Sequence, residues 1–199
     1  MRPVATGRSL PLPGVMARYS SRRRPRSQEA RVSLLVRMET MEEGQLPPVE
    51  YRWDTDTEIL TAALRPTVMP DGLSGSMDIE GTDGAWLMLE LRAGRLTSVE
   101  VAVWPDVHLV EELAPPPADG VARLAVPLAD GGATVTALEV DTPLVAVADE
   151  AERTIHFRIG PPRATRPVRV GRDLLVEVDA RSEIAGLWLL NVPPSPMNL

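Results

Sequence analysis

Two histidines, His108 and His156, and two short runs of acids are the residues of this 199-residue chain that could do chemistry. Histidine titrates near neutral pH, so a histidine oriented by a carboxylate would form an acid–base pair. His108 follows Trp104-Pro105-Asp106-Val107, in a loop that also holds Glu111 and Glu112. His156 stands in a strand, with Ile155 and Phe157 on the opposite face. Asp54, Asp56 and Glu58 have the alternate spacing of an oxygen-ligand cation loop, but lack the glycine and distal glutamate that a calcium loop needs. They read as a solvated hairpin turn, and so do Asp149, Glu150 and Glu152. There is no cysteine and no lysine, and with only two separated histidines no transition-metal centre is expected. Phosphate-binding glycine loops and the nucleophile elbow are also missing. No catalytic, cofactor-binding or metal-ligating residue is assigned, and no cofactor is expected.

The elements around these residues repeat. In 174–193, Leu174, Val176 and Val178 alternate with Leu175, Glu177 and Asp179, the period of two of a half-buried strand. A polar turn, 179–182, then leads to a return strand from Ile184 to Leu190. An earlier copy, 87–105, sets Leu87, Leu89 and Leu91 on one face, turns at 92–95 and returns through Val99, Val101 and Val103. A small hairpin precedes each: 49–53 with 59–64, and 144–148 with 154–159. Asp54 aligns with Asp149, Leu60 with Ile155, Leu64 with Ile159 and Pro66 with Pro161, without a gap. Residues 68–83 read mostly as loop around a short strand at 77–80, and 163–170 as a connector. Between the copies, 114–120 is a linker, and 121–128 with 133–140 form a hairpin around Ala129-Asp130-Gly131-Gly132, with Pro127 on an edge. Twenty prolines and 4% aromatics favour many short strands around an aliphatic core. The expected fold is mainly β: antiparallel hairpins from two tandem repeats packed as an internal pseudo-dimer, a small sandwich or partly open barrel. The expected divisions are 1–45 (tail and linker), 46–113 (first repeat), 114–143 (linker and central hairpin) and 144–199 (second repeat).

Each repeat runs strand, D-x-x-x-[DER], strand, connector, alternating strand, polar turn, strand. The residues that carry this are Tyr51-Arg52-Trp53-Asp54-Thr55-Asp56-Thr57-Glu58-Ile59-Leu60 in the first copy. In the second they are 149–159 with Val176-Glu177-Val178-Asp179-Ala180-Arg181-Ser182-Glu183-Ile184-Ala185-Gly186-Leu187. This arrangement resembles the YuzE-like family, a short domain of unknown function that usually occurs once per chain. The two copies cover about half of the chain; the first is one residue shorter at its second turn, and its loop 71–83 has no match in the second. The resemblance implies a small β-rich domain that associates with itself or a partner. It transfers no activity to any residue.

Residues 1–37 carry nine arginines and one acid, a formal +8, and leave 12 arginines against 27 acids, or −15, in the remainder. The first 45 residues are expected to be a disordered basic tail and linker, because the basic part lacks a sustained apolar period. The tail reads as a dispensable extension, with Met16, Met38 and Met41 as later starts, as a transit peptide, or as a tether to nucleic acid. No apolar run reaches membrane-spanning length and no secretory h-region is present, so a cytoplasmic protein without membrane contact is expected. The function expected is a non-enzymatic protein-interaction or self-association module, partnered by another protein or a second copy. Trp86, Trp188 and Leu190 are its candidate contact residues, since they put apolar side chains on the second face of their strands. The alternatives are a small-ligand or hydrolytic domain with a site between the repeats, using His108, His156 and the turn acids, and nucleic-acid tethering through the tail alone.

Overall fold

Aliphatic residues that alternate with polar ones bury one face of an extended chain, and proline and turn residues keep each run short. The computed structural model describes residues 34–126 and 138–195, and fourteen strands account for most of them. They are β1 (Arg37–Thr40), β2 (Val49–Asp54), β3 (Ile59–Leu64), β4 (Ser74–Gly81), β5 (Trp86–Arg92), β6 (Arg95–Val103) and β7 (Val107–Val110). Then follow β8 (Ala122–Ala125), β9 (Leu138–Thr142), β10 (Leu144–Asp149), β11 (Ile155–Ile159), β12 (Thr165–Gly171), β13 (Leu174–Asp179) and β14 (Ile184–Leu189). A 3₁₀ turn at Glu43–Gln45 is the one helical element among the described residues. No helix there is long and apolar enough to cross a membrane.

The strands make two sheets. In the first, β2-β3-β6-β5-β4 are successive antiparallel neighbours. In the second, β10-β11-β14-β13-β12 follow the same order and sense. Register agrees as well. Trp53 faces Leu60 as Ala148 faces Ile155, and Glu90 faces Ser98 as Glu177 faces Gly186. Both ladders shift register directly after that glutamate. The first sheet curls, so that β3 and β8 both border β6, and β1 pairs with β8 beyond. Leu60, Leu87, Leu89 and Val99 from the first sheet and Phe157, Leu174, Val176 and Leu187 from the second are fully buried in one shared core.

Two strands exchange sheets. β7 follows the first five-stranded group in sequence but pairs in parallel with β10 of the second. β9 immediately precedes the second group but pairs in parallel with β4 of the first.

Several sequence expectations need correction. Described residues 34–45 are not a disordered linker: Leu34 and Val36 are 7% and 3% exposed. Val36 N–H donates to Ser182 O at 2.8 Å, and Ile184 N–H donates to Leu34 O at 3.0 Å. Alternating apolar side chains beside an open strand end suffice to order this segment. The tail expected before residue 34 lies outside the described residues. The central hairpin is also revised. β8 pairs with β1 and β6 and β9 with β4, so these strands are not neighbours but lie toward opposite ends of one sheet. Residues 127–137, with Pro127 and the expected turn, lie outside the described residues. The connector at 163–170 is mostly β12, the loop at 68–83 holds the whole of β4, and His108 belongs to β7 rather than a loop.

Candidate functional site

The histidines share a row but do not meet. Across the second sheet, register places His108, Val147, His156, Trp188 and Leu175 side by side. Two interstrand steps of about 4.8 Å set the histidines roughly 10 Å apart, with Val147 between them. His156 instead stacks on Trp188, ring centroids 4.2 Å apart and planes at 18°. Both flank Glu177. Trp188 Nε1 donates to Glu177 Oε1 at 2.8 Å, and Thr165 Oγ1 donates to Oε2 at 3.3 Å. His156 Nε2 stands 3.6 Å from Oε1, outside hydrogen-bond reach, and is buried without a hydrogen-bond partner. Gly186 makes the room: a Cβ there would stand 2.9 Å from Glu177 Oε2 and 3.1 Å from His156 Nε2. The His156 imidazole, aided by the Trp188 and Thr165 donors, outweighs burial and holds the Glu177 carboxyl below its usual range. A carboxylate so fully engaged orders the sheet and is poorly placed to move a proton.

This cluster is on the face of the second sheet turned away from the core, yet Leu175 and Trp188 are only 0% and 6% exposed. Residues 111–118 connect the two edges of this sheet. They lead from the end of β7, at one edge of the sheet, to Asp119, whose N–H donates to Pro167 O on β12 at the other edge. The five interstrand steps amount to roughly 24 Å, which an extended proline-rich chain of about 3.1 Å per residue spans.

The corresponding face of the first sheet is hydroxyl-rich. Glu90 takes the register position of Glu177 and accepts from Ser98 Oγ at 2.5 Å. Burial, reinforced by the charge of Glu90, raises the carboxyl pKa of Glu100, against a Thr61 hydrogen bond and Arg52. Thr61 takes the position of His156, so this sheet has no imidazole at that point. A cavity of about 420 Å³ on this face also brings in Arg65 and Arg92.

Another cavity, about 190 Å³, lies where the two five-stranded groups meet. Trp53, Trp104, Val107 and Ala148 line it together with Glu58 and Glu152. The indoles stack with centroids 5.7 Å apart and planes at 18°, and Trp104 leans on the buried Phe157 at 5.9 Å. Trp53 Nε1 donates to Pro193 O at 3.0 Å, and Trp104 Nε1 donates to Glu58 O at 2.9 Å. Glu58 and Glu152 belong to the β2–β3 and β10–β11 turns and have positive φ of 58° and 53°. Each turn is tied by its leading aspartate: Asp54 Oδ1 accepts from Asp56 N–H, and Asp149 Oδ1 from the N–H groups of Arg153 and Thr154. Among the described residues, no cluster of three or more acids or histidines is arranged to hold a metal ion.

The sequence-derived contact residues are dispersed. Trp86 is 43% exposed and faces Val103, itself 45% exposed. Trp188 is buried, so it is not a surface residue. Leu190 is a strut: its N–H donates to Asp173 O, and its carbonyl, like that of Asp173, accepts from the Tyr51 hydroxyl. Burial, with Asp173 nearby, pushes the Tyr51 phenol up. Reading the sequence missed Trp53 and Trp104. Their common signal is a tryptophan at or just past the end of an apolar strand, beside Asp54 and Pro105. No protein-family model matches the chain, and no curated protein matches it.

Proposed function

We propose that this protein is a non-enzymatic interaction module, built by internal duplication of a YuzE-like unit, that seats one protruding group of its partner in the indole slot. The single observation behind this reading is the slot itself, whose lining comes from both five-stranded groups and contains two tryptophans but no histidine. Shared strand order and register support the duplication. A cavity of this size suits a side chain or a small head group rather than a drug-sized ligand. Ligand-observed NMR against a panel of small cationic, anionic, neutral and aromatic fragments tests it. Hits are expected with the native protein and should be lost in Val107→Phe, which fills the slot from its exposed edge. A panel without hits, or with hits that Val107→Phe retains, would overturn the reading.

The exposed cross-strand pair Trp86 and Val103 favours a second reading, self-association through that end of the first sheet. Sedimentation of the native chain and Trp86→Ser decides it: a native dimer that the variant loses supports association there, and a monomeric native chain excludes it.

A further inference from the structure

An open sheet edge presents unpaired N–H and C=O groups to any extended chain, and proteins blunt it with charge, proline or a covering segment. The described sheets end in β1, β2, β9, β12 and β7. Four of these edges are blunted. β1 holds Arg37 and Glu39, β2 holds Glu50 and Arg52, and β9 holds Glu139 and Asp141. β12 contains Pro167, and residues 119–121 run along its outer side, where Arg169 N–H donates to Gly120 O at 3.0 Å. β7 is short but otherwise unguarded. It reads Val107-His108-Leu109-Val110, with neither charge nor proline, and among the described residues it pairs with β10 alone.

Its side chains are as open as its backbone. Val107 and Leu109 stand beside the fully buried Ala146 and Ala148, so they belong to the core side of the sheet. Yet they are 36% and 56% exposed, because the cover over that face stops short of β7. One more strand, apolar beside Val107 and Leu109, would continue both the ladder and the core. The flanks set its charge. Asp106 precedes β7 and Glu111 and Glu112 follow it, all exposed, and among the described residues none of them forms an ion pair. A second copy pairing here would bring the same acids again, and full antiparallel overlap would set Asp106 opposite the other copy's Glu111, a destabilising pair.

We propose that the β7 edge docks an extended segment of a partner protein, apolar at alternate positions and basic at both ends, which adds a further strand to the second sheet. The inference does not rest on the indole slot, since Leu109 is not among the residues that line it.

The test uses the full chain and follows peptide proton line widths and chemical shifts at low ionic strength. The probes are acetyl-Arg-Val-Thr-Val-Thr-Arg-amide, its counterpart with glutamate in place of both arginines, and the basic peptide with its four central amides N-methylated. The basic peptide should bind in about the millimolar range, at least about fivefold tighter than the acidic one. The methylated form, which cannot join a ladder, should not bind. Leu109→Arg should weaken the basic peptide by about fivefold or more, and Glu111→Gln combined with Glu112→Gln by about threefold. Melting temperatures check both folds; if Leu109→Arg is unstable, the methylated peptide and the glutamine pair decide. No binding of the basic peptide, or equal binding of its acidic or methylated form, would overturn the proposal. So would binding that survives Leu109→Arg but disappears in Val107→Phe, which belongs to the slot. A native dimer in sedimentation that Leu109→Arg abolishes would give the edge to a second copy and overturn it as well.

Discussion

His156 lies flat on its cross-strand partner Trp188, and both rings border the carboxylate of Glu177. Glu177 therefore prefers its charged form in the fold more than in the unfolded chain, where its ordinary value is 4.5. The stability this lends is fully present above that value and is lost as pH falls through the lower folded one. Melting temperature should drop as pH is lowered from about 5 to 3, and Glu177→Gln should flatten part of that slope. Asp179 adds to the slope. Burial would raise its pKa, but the N–H groups of Glu183 and Arg181 and the Arg163 guanidinium together bring it down. An unchanged slope in Glu177→Gln would mean that its carboxylate is not preferentially held.

Trp188 and Trp86 should separate cleanly. Trp188→Ser removes a 6%-exposed indole and leaves Glu177 short of a donor, so it should cost about 3–5 kcal/mol in denaturant unfolding. Trp86→Ser, at a 43%-exposed position, should stay within about 0.5 kcal/mol. Equal costs would contradict the burial of the outer face of the second sheet.

Gly186→Ala tests how tightly the second sheet is packed around the Glu177 cluster. The new Cβ would stand 2.9 Å from the Phe157 carbonyl oxygen, a backbone atom that cannot swing aside. A loss of about 1–3 kcal/mol is expected, from overpacking alone. The corresponding position in the first sheet is Ser98, so Ser98→Ala should show no such clash and lose only its hydrogen bond to Glu90.

Arg163 clamps three strands. Its Nε donates to Asp179 Oδ2 at 2.9 Å, and its Nη atoms donate to the carbonyls of Ile159 and Ile184, both at 2.9 Å. Arg163→Ala removes these three bonds and leaves the Asp179 carboxylate without its guanidinium partner, and should cost about 2–4 kcal/mol. Arg163→Lys should recover less than half of that, since an ammonium cannot reproduce the fork. Full recovery by lysine would show that charge alone matters there.

Alternation made the hairpins legible. An unbroken offset from Asp54 to Asp149 and from Leu60 to Ile155 anticipated the register of Trp53 on Leu60 and Ala148 on Ile155. Strands that seek distant partners were not legible. β1, β7 and β8 are four residues each, too short for a period to declare itself, and β9 pairs in parallel with a strand some sixty residues away. Asp130-Gly131-Gly132 advertises a local turn but carries nothing about which strand lies on either side. The slot was illegible for the same reason. Trp53 and Trp104 come together only because β3 carries β2 onto β6, and their pairing is a property of strand order rather than of spacing.

β7 and β9 have each crossed into the sheet of the other half, and this orders events during synthesis. The first sheet is incomplete until residue 142 has left the ribosome, while β7, made earlier, waits for β10. Pairings of such separation form slowly, because loops must close before contacts reward them. In that interval the nascent chain displays an unfinished β4 edge and an unmatched β7, each able to accept a strand from a neighbouring chain. The hazard peaks while the stretch between β7 and the end of β10 is being translated, and a product terminated there never leaves it.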